Sequence, residues 1–204
     1  MPINQQENED MLTVYGDGKS GNCLKVRWTA EKLAIPYRWR ELDVLRAETR
    51  TPDFLALNPA GQVPLVILPD GRALAQSNAI IIHLAEGSGL IPADSYDRAR
   101  MFEWLFWEQY SHEPYIAVAR FQMAYLGKPR EDLDAKLLER GRAALQRLED
   151  GLEETQFLVG DSVSLADVSL VAYTRVAHEG GFDLADFPRV VAWVARVEAA
   201  LGIV

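Results

Sequence analysis

Residues 11–34 read MLTVYGDGKSGNCLKVRWTAEKLA. MLTVY is a short apolar and β-branched run, the pattern of a strand. GDGKSGN is rich in turn formers and reads as a loop. From Cys23 onward Leu24, Val26, Trp28 and Leu33, with Ala30 and Ala34 between them, suit a buried helix that ends before Pro36. The stretch is therefore strand, loop and helix, with the helix beginning near Ser20. Cys23 is the only cysteine of the chain. A Cys-x-x-Cys redox pair would need its first thiol at position 20, where a serine stands. The chain keeps the second sulfur of such a pair and lacks the first.

Working outward, YRWREL alternates and reads as a second strand, and TPDFLAL as a brief helix with Pro52 at an early position. VPLVIL reads as a strand, PDG as a tight turn and RALA as its continuation. SNAIIIHLAE opens with two cap-forming residues and reads as a helix. The order β-α-β-α-β-β-α occupies residues 11–86. GSGLIPADSYD, rich in Gly, Pro and Ser, reads as a linker over 87–96, and everything after it, 97–204, reads as helical. Pro114 predicts a kink in the first long helix. Leu133, Leu137, Leu145, Leu148 and Leu152 fall near one face of the next. Ser164 and Asp167 have capping-box spacing before a further helix, flanked by Val163 and Val168 at the spacing of a hydrophobic staple. The fold class expected is α/β followed by all-α. MPINQQENED, residues 1–10, is polar and acidic and reads as a flexible tail.

The 204 residues carry a formal charge of -9. An acidic surface argues against nucleic acid or an anionic membrane as the main partner. It leaves room for a small anionic ligand at a local positive site. A single cysteine fits a reducing compartment, and no secretory signal or membrane-length apolar run is present, so a cytoplasmic protein is expected. His83, His112 and His178 are widely separated, and no cluster has metal-ligand spacing; no metal is expected.

Three places carry possible chemistry. Ser20 and Asn22 stand at the start of the first helix, where unpaired amides and the helix dipole favour an anion; each could equally be a simple cap. Gln76 and Ser77 hold the same position before another helix, with the same two readings. Pro64 opens an apolar strand, as a residue without an N–H must. A cis bond at Val63-Pro64 would turn the Val63 backbone toward a ligand; a trans bond would make it an ordinary strand opener.

Taken together, SGNCLKVR, FLALNPAGQVPLVILPDG, ALAQSNAIIIHLAE and FLVGDSVSLADVSLVA, in this order and spanning nearly all of the chain from residue 11, resemble the cytosolic glutathione transferase family, closest to its theta-like and nu-like bacterial serine types. The resemblance implies a thioredoxin-like glutathione-binding domain over 11–86, a helical-bundle domain after the linker, and a homodimer. It also implies a role in detoxification, with glutathione as co-substrate. It answers the question of the missing sulfur: glutathione brings its own thiol to the place of the first cysteine. By position, Ser20 would be the main donor to the glutathione thiolate and Asn22 its neighbour or substitute. Val63 would pair with the cysteinyl backbone, with Gln62 and Pro64 beside it. Gln76 and Ser77 would hold the γ-glutamyl end, although relatives often carry Glu or Asp where Gln76 stands. Arg50 would lie near the glycine carboxylate. Tyr110, His112, Tyr115 and Phe121 are candidates for contact with a hydrophobic electrophile, Tyr110 and Tyr115 foremost; aromatic residues on such a helix are also common core residues. Three activities fit: transfer to an electrophile, reduction of a disulfide or peroxide by glutathione, and binding without catalysis.

Overall fold

The computed structural model describes residues 11–203; the tail expected over residues 1–10 lies outside the described residues. Two compact units divide between Glu86 and Gly87. The first contains strands β1 (Leu12–Gly16), β2 (Tyr37–Glu41), β3 (Leu65–Ile67) and β4 (Ala73–Ala75), and helices α1 (Gly21–Lys32), α2 (Pro52–Leu57) and α3 (Ser77–Leu84). The strand order is β2-β1-β3-β4. β1 runs parallel to β2, and the β1–β3 and β3–β4 pairs are antiparallel. The parallel pair needs a crossover, which α1 supplies. This is the thioredoxin-like arrangement.

Alternation along β1 decides which face is covered: Leu12 and Val14 are buried and Thr13 and Tyr15 are not. α1 and α3 pack on each other, and Cys23, Val26, Ala30, Ile80 and Ile81 are all fully buried. β1 ends on Gly16 for a steric reason. A Cβ there would meet the Trp39 ring at 2.5 Å and the Cys23 Cβ at 3.2 Å, so only glycine lets the strand end pass between them.

The second unit contains α4 (Ser95–Trp107), α5 (Glu113–Arg120), α6 (Ala135–Gly151), α7 (Leu165–Thr174) and α8 (Pro188–Leu201). Between α4 and α5 the chain makes a turn of π-helix over Glu108–His112, and a second follows α5 at Phe121–Tyr125. The expected interruption at Pro114 takes this form. A proline has no N–H to donate, and the wider turn ahead of it absorbs the missing bond. Every residue of α7 is buried, and it packs on α4 and α8. Leu133, Leu145, Leu148 and Leu152 are buried as their spacing predicts, and Leu137 is half-buried.

The α7 start shows both halves of the capping box. Asp167 is fully buried and accepts four hydrogen bonds: from the Leu158 and Ser164 amides at 2.9 and 2.8 Å, the Ser164 hydroxyl at 2.9 Å and Trp193 Nε1 at 2.8 Å. Burial pushes its carboxyl above the usual range, and the four donors pull it back. No helix among the described residues is long and apolar enough to cross a membrane.

Candidate functional site

Two helix starts in the first unit differ from most others in the chain. At α2, α4 and α6 the cap side chains of Thr51, Asp94 and Asp134 accept from their own helix amides. Ser20, the cap of α1, and Gln76, the cap of α3, make no such bond. Neither helix has an acidic residue in its first turn. Neither amino terminus is neutralised by its own cap side chain or by an acidic residue of its first turn. This weighs against the reading of Ser20 and Gln76 as simple caps.

The α3 start departs from the sequence expectation. Ser77 and Asn78 look like the caps, yet the cap is Gln76 and Ser77 is already helical. Gln76 has φ 71° and ψ 113°. A non-glycine residue in that region is strained, and such strain concentrates at functional positions. The turn places the exposed Gln76 side chain ahead of the helix and buries Ser77. There the Ser77 hydroxyl donates to Asn22 Oδ1 at 3.0 Å, tying α3 to the start of α1.

Asn22 Oδ1 also accepts from Lys25 Nζ at 2.8 Å. Lys25 is fully buried. Sequence reasoning missed it, because it lies among the apolar positions of α1 and is charged. The signal was its spacing three residues beyond Asn22, which puts the two on one helix face.

Cys23 lies beneath the loop that carries Ser20. The Asp17 amide donates to Cys23 Sγ at 3.4 Å, while Asp17 Oδ1 accepts the Lys19 amide at 2.8 Å and Glu41 Oε1 the Gly18 amide at 2.8 Å. Burial pushes the Cys23 thiol up to about 12, against the opposing pull of the Asp17 amide and the Ser20 hydroxyl. Such a buried thiol is protonated at neutral pH and is a poor nucleophile. Among the described residues no group of His, Cys, Asp and Glu is arranged to hold a metal ion.

The Val63-Pro64 bond is cis, and Pro64 is buried just before β3. The loop before it is braced from both sides. Asn58 Nδ2 donates to the Gln62 carbonyl at 2.7 Å and Asn58 Oδ1 accepts the Ala60 amide at 3.2 Å. Arg50 Nη1 donates to the Ala60 carbonyl at 3.3 Å. Gly61 has φ 61°, and a Cβ there would meet Arg50 Nη1 at 2.5 Å. Arg50 is thus part of the loop's framework, a task its sequence position did not reveal. The Gln62 side chain is exposed.

In the helical unit, Tyr110 and Tyr115 line one cleft of about 640 Å³ together with Trp107. Lys136, Arg140 and Arg147 line it as well. The other two aromatic-face candidates lie elsewhere. His112 is buried with Nε2 3.0 Å from Thr174 Oγ1, and Phe121 stacks on Tyr125 at 5.1 Å.

Residues 20–86 match the glutathione S-transferase N-terminal domain, and residues 104–200 the glutathione S-transferase C-terminal domain. Mouse glutathione S-transferase theta-1 is 34% identical over 206 residues, covering 94% of this chain and 84% of its own. A glutathione S-transferase structure from Pseudomonas fluorescens is 47% identical with a TM-score of 0.90, covering 93% of this chain and 95% of its own. A glutathione transferase homologue from Sulfitobacter, solved with bound glutathione, is 25% identical with a TM-score of 0.81, covering 95% and 96%.

Proposed function

The chain belongs to the glutathione S-transferase family, and we propose that it activates glutathione through Ser20 and Asn22 and transfers it to a hydrophobic electrophile. Glutathione is the co-substrate. Its thiol has an ordinary pKa near that of free cysteine, about 8.5, so little thiolate exists at neutral pH. A hydroxyl donated by Ser20, the Asn22 amide and the positive end of α1 favour the anion. The thiol proton leaves to water. The thiolate then attacks the electrophilic carbon, a C–S bond forms and, with an aryl halide, the carbon–halogen bond breaks and halide departs.

The rest of the tripeptide is assigned in the same way. Val63 pairs through its backbone with the cysteinyl unit, flanked by Gln62 and Pro64. Gln76 and the α3 amino terminus at Ser77 take the γ-glutamyl group. Ser77 has one hydroxyl proton, already directed at Asn22; its lone pairs suit the γ-glutamyl ammonium, and the helix amides suit the carboxylate. Arg50 has one N–H engaged with Ala60 and others available to the glycine carboxylate. Tyr110 and Tyr115 meet the electrophile. The enzyme works as a homodimer in the cytoplasm, with detoxification as its role.

The observation that carries this reading is the pair of helix starts, α1 and α3, whose cap side chains accept from none of their own helix amides and which Ser77 and Asn22 join. Calorimetric titration with glutathione tests the cradle, and assays with an aryl halide, a hydroperoxide and a small disulfide test the reaction. Binding at millimolar glutathione with turnover of the aryl halide is expected. Turnover of the disulfide or hydroperoxide alone would replace transfer by reduction. No binding at all would reduce the protein to a scaffold. Light scattering at micromolar concentration is expected to report a dimer.

A further inference from the structure

Lys25 is a long cation with no exposed surface, on α1 three residues beyond Asn22. Burying an ammonium is costly unless it is hydrogen-bonded. One acceptor of this ammonium, at 2.8 Å, is the amide oxygen of Asn22. A lysine ammonium has three donors and no acceptor. The atom of Asn22 that faces it must therefore be the oxygen, and this settles the orientation of the amide by chemistry. The Ser77 hydroxyl, 3.0 Å from the same oxygen, donates to its second lone pair. With both lone pairs occupied, Asn22 can act toward a ligand only through its N–H₂ edge.

We propose that Lys25 is a positioning residue for thiolate formation: its buried ammonium, with the Ser77 hydroxyl, fixes the Asn22 amide so that an N–H meets the glutathione sulfur. This rests on the reading of Asn22 as a thiolate donor and adds how that donor is set. The ammonium also polarises the amide, since a hydrogen bond accepted at the oxygen makes the N–H a stronger donor. Lys25 touches no reacting atom itself.

The experiment uses the full chain with Lys25→Met, which keeps length and removes both charge and donor. Thermal melting shows whether the variant folds, and calorimetry whether it binds glutathione. The ultraviolet absorbance of bound thiolate is then titrated against pH, alongside the pH profile of kcat/KM. The thiol pKa is expected to rise by up to about one unit, giving about threefold to tenfold less thiolate at neutral pH, with the kcat/KM profile displaced in parallel. In an Asn22→Ala background the same substitution should add no further displacement, because Lys25 works through Asn22.

A folded, glutathione-binding Lys25→Met protein with an unmoved titration overturns the proposal and leaves Lys25 structural. So does a displacement of undiminished size in the Asn22→Ala background. If Lys25→Met does not fold, Lys25→Gln decides, since it keeps an N–H donor without the charge. A smaller displacement in the same direction supports the proposal, and none overturns it. Wild-type protein that binds no glutathione would instead refute the reading of the site, and this proposal with it.

Discussion

The Asp17 amide donates to Cys23 Sγ across 3.4 Å, and that bond closes the loop over a thiol with no exposed surface. Burial holds this thiol near 12, so the native protein is expected to resist alkylation at neutral pH. A disulfide reagent should find the sulfur only after unfolding. Cys23→Ala should keep most glutathione-dependent turnover and lose about 1 kcal/mol from the small cavity. A thousandfold loss of turnover in a folded variant would make the protein a cysteine-type enzyme.

The same thiol predicts a base-labile window. Its pKa is raised in the folded state, so the folded protein holds the proton that the unfolded chain gives up first. That contribution is complete below the ordinary thiol value of 9.0 and is lost as pH rises toward about 12. The loss is on the order of 4 kcal/mol across the window, at about 1.4 kcal/mol per unit. Urea unfolding at a series of alkaline pH values should show a steeper fall for the wild type than for Cys23→Ala. Parallel curves would show that the thiol does not govern it.

Ser20→Ala is expected to raise the pKa of bound glutathione and move the pH–rate profile upward, at a cost of about 1 to 3 kcal/mol in thiolate stabilisation. Asn22→Ala should do the same to a smaller extent. Glutathione affinity should change little in Ser20→Ala, because Val63, Gln76 and Ser77 bind elsewhere on the tripeptide. A profile moved by Asn22→Ala and untouched by Ser20→Ala would reverse the two roles.

Tyr110→Ala and Tyr115→Ala should raise KM for an aryl electrophile and leave KM for glutathione unchanged. Each ring lost from an aromatic contact is worth about 1 kcal/mol, or roughly fivefold. Equal effects on both substrates would place the tyrosines in the framework instead.

Asp167→Ala strips the acceptor from four buried donors. A loss of about 4 kcal/mol is expected in urea unfolding, because donors left without partners inside the protein are costly. A loss below about 1 kcal/mol would show that water or a neighbour replaces the carboxylate.

Much of this was legible in the sequence because it is local. The β1–loop–α1 stretch follows from alternation, turn residues and helical spacing, and the capping box from two residues three apart. The missed features depend on contacts distant in the chain or on backbone angles. Nothing at Gln76 announces a φ of 71°; the cap-rich Ser77-Asn78 pair pointed one residue too late. Lys25 is a cation among apolar positions, and nothing local announces that it is fully buried. Arg50 reads as a basic group near a ligand, and only the fold sets its guanidinium against Ala60 and Gly61. His112 stood among the electrophile candidates, and it lies buried at the end of the π turn with Nε2 against Thr174, a contact distant in the chain.

The Asp167 carboxylate binds the Leu158 amide, the α7 start and the Trp193 indole at once. Residues 153–163, EETQFLVGDSV, are by composition the kind of segment that frays first. Leu158 and Ser164 nevertheless give their amide protons to a buried acceptor that also holds α8. Neither proton can reach solvent without releasing that carboxylate and loosening the indole of Trp193. In deuterium oxide these two amides should therefore exchange on the timescale of opening the whole helical unit, and more slowly than Phe157, whose amide donates only to the Gly160 carbonyl of the same loop.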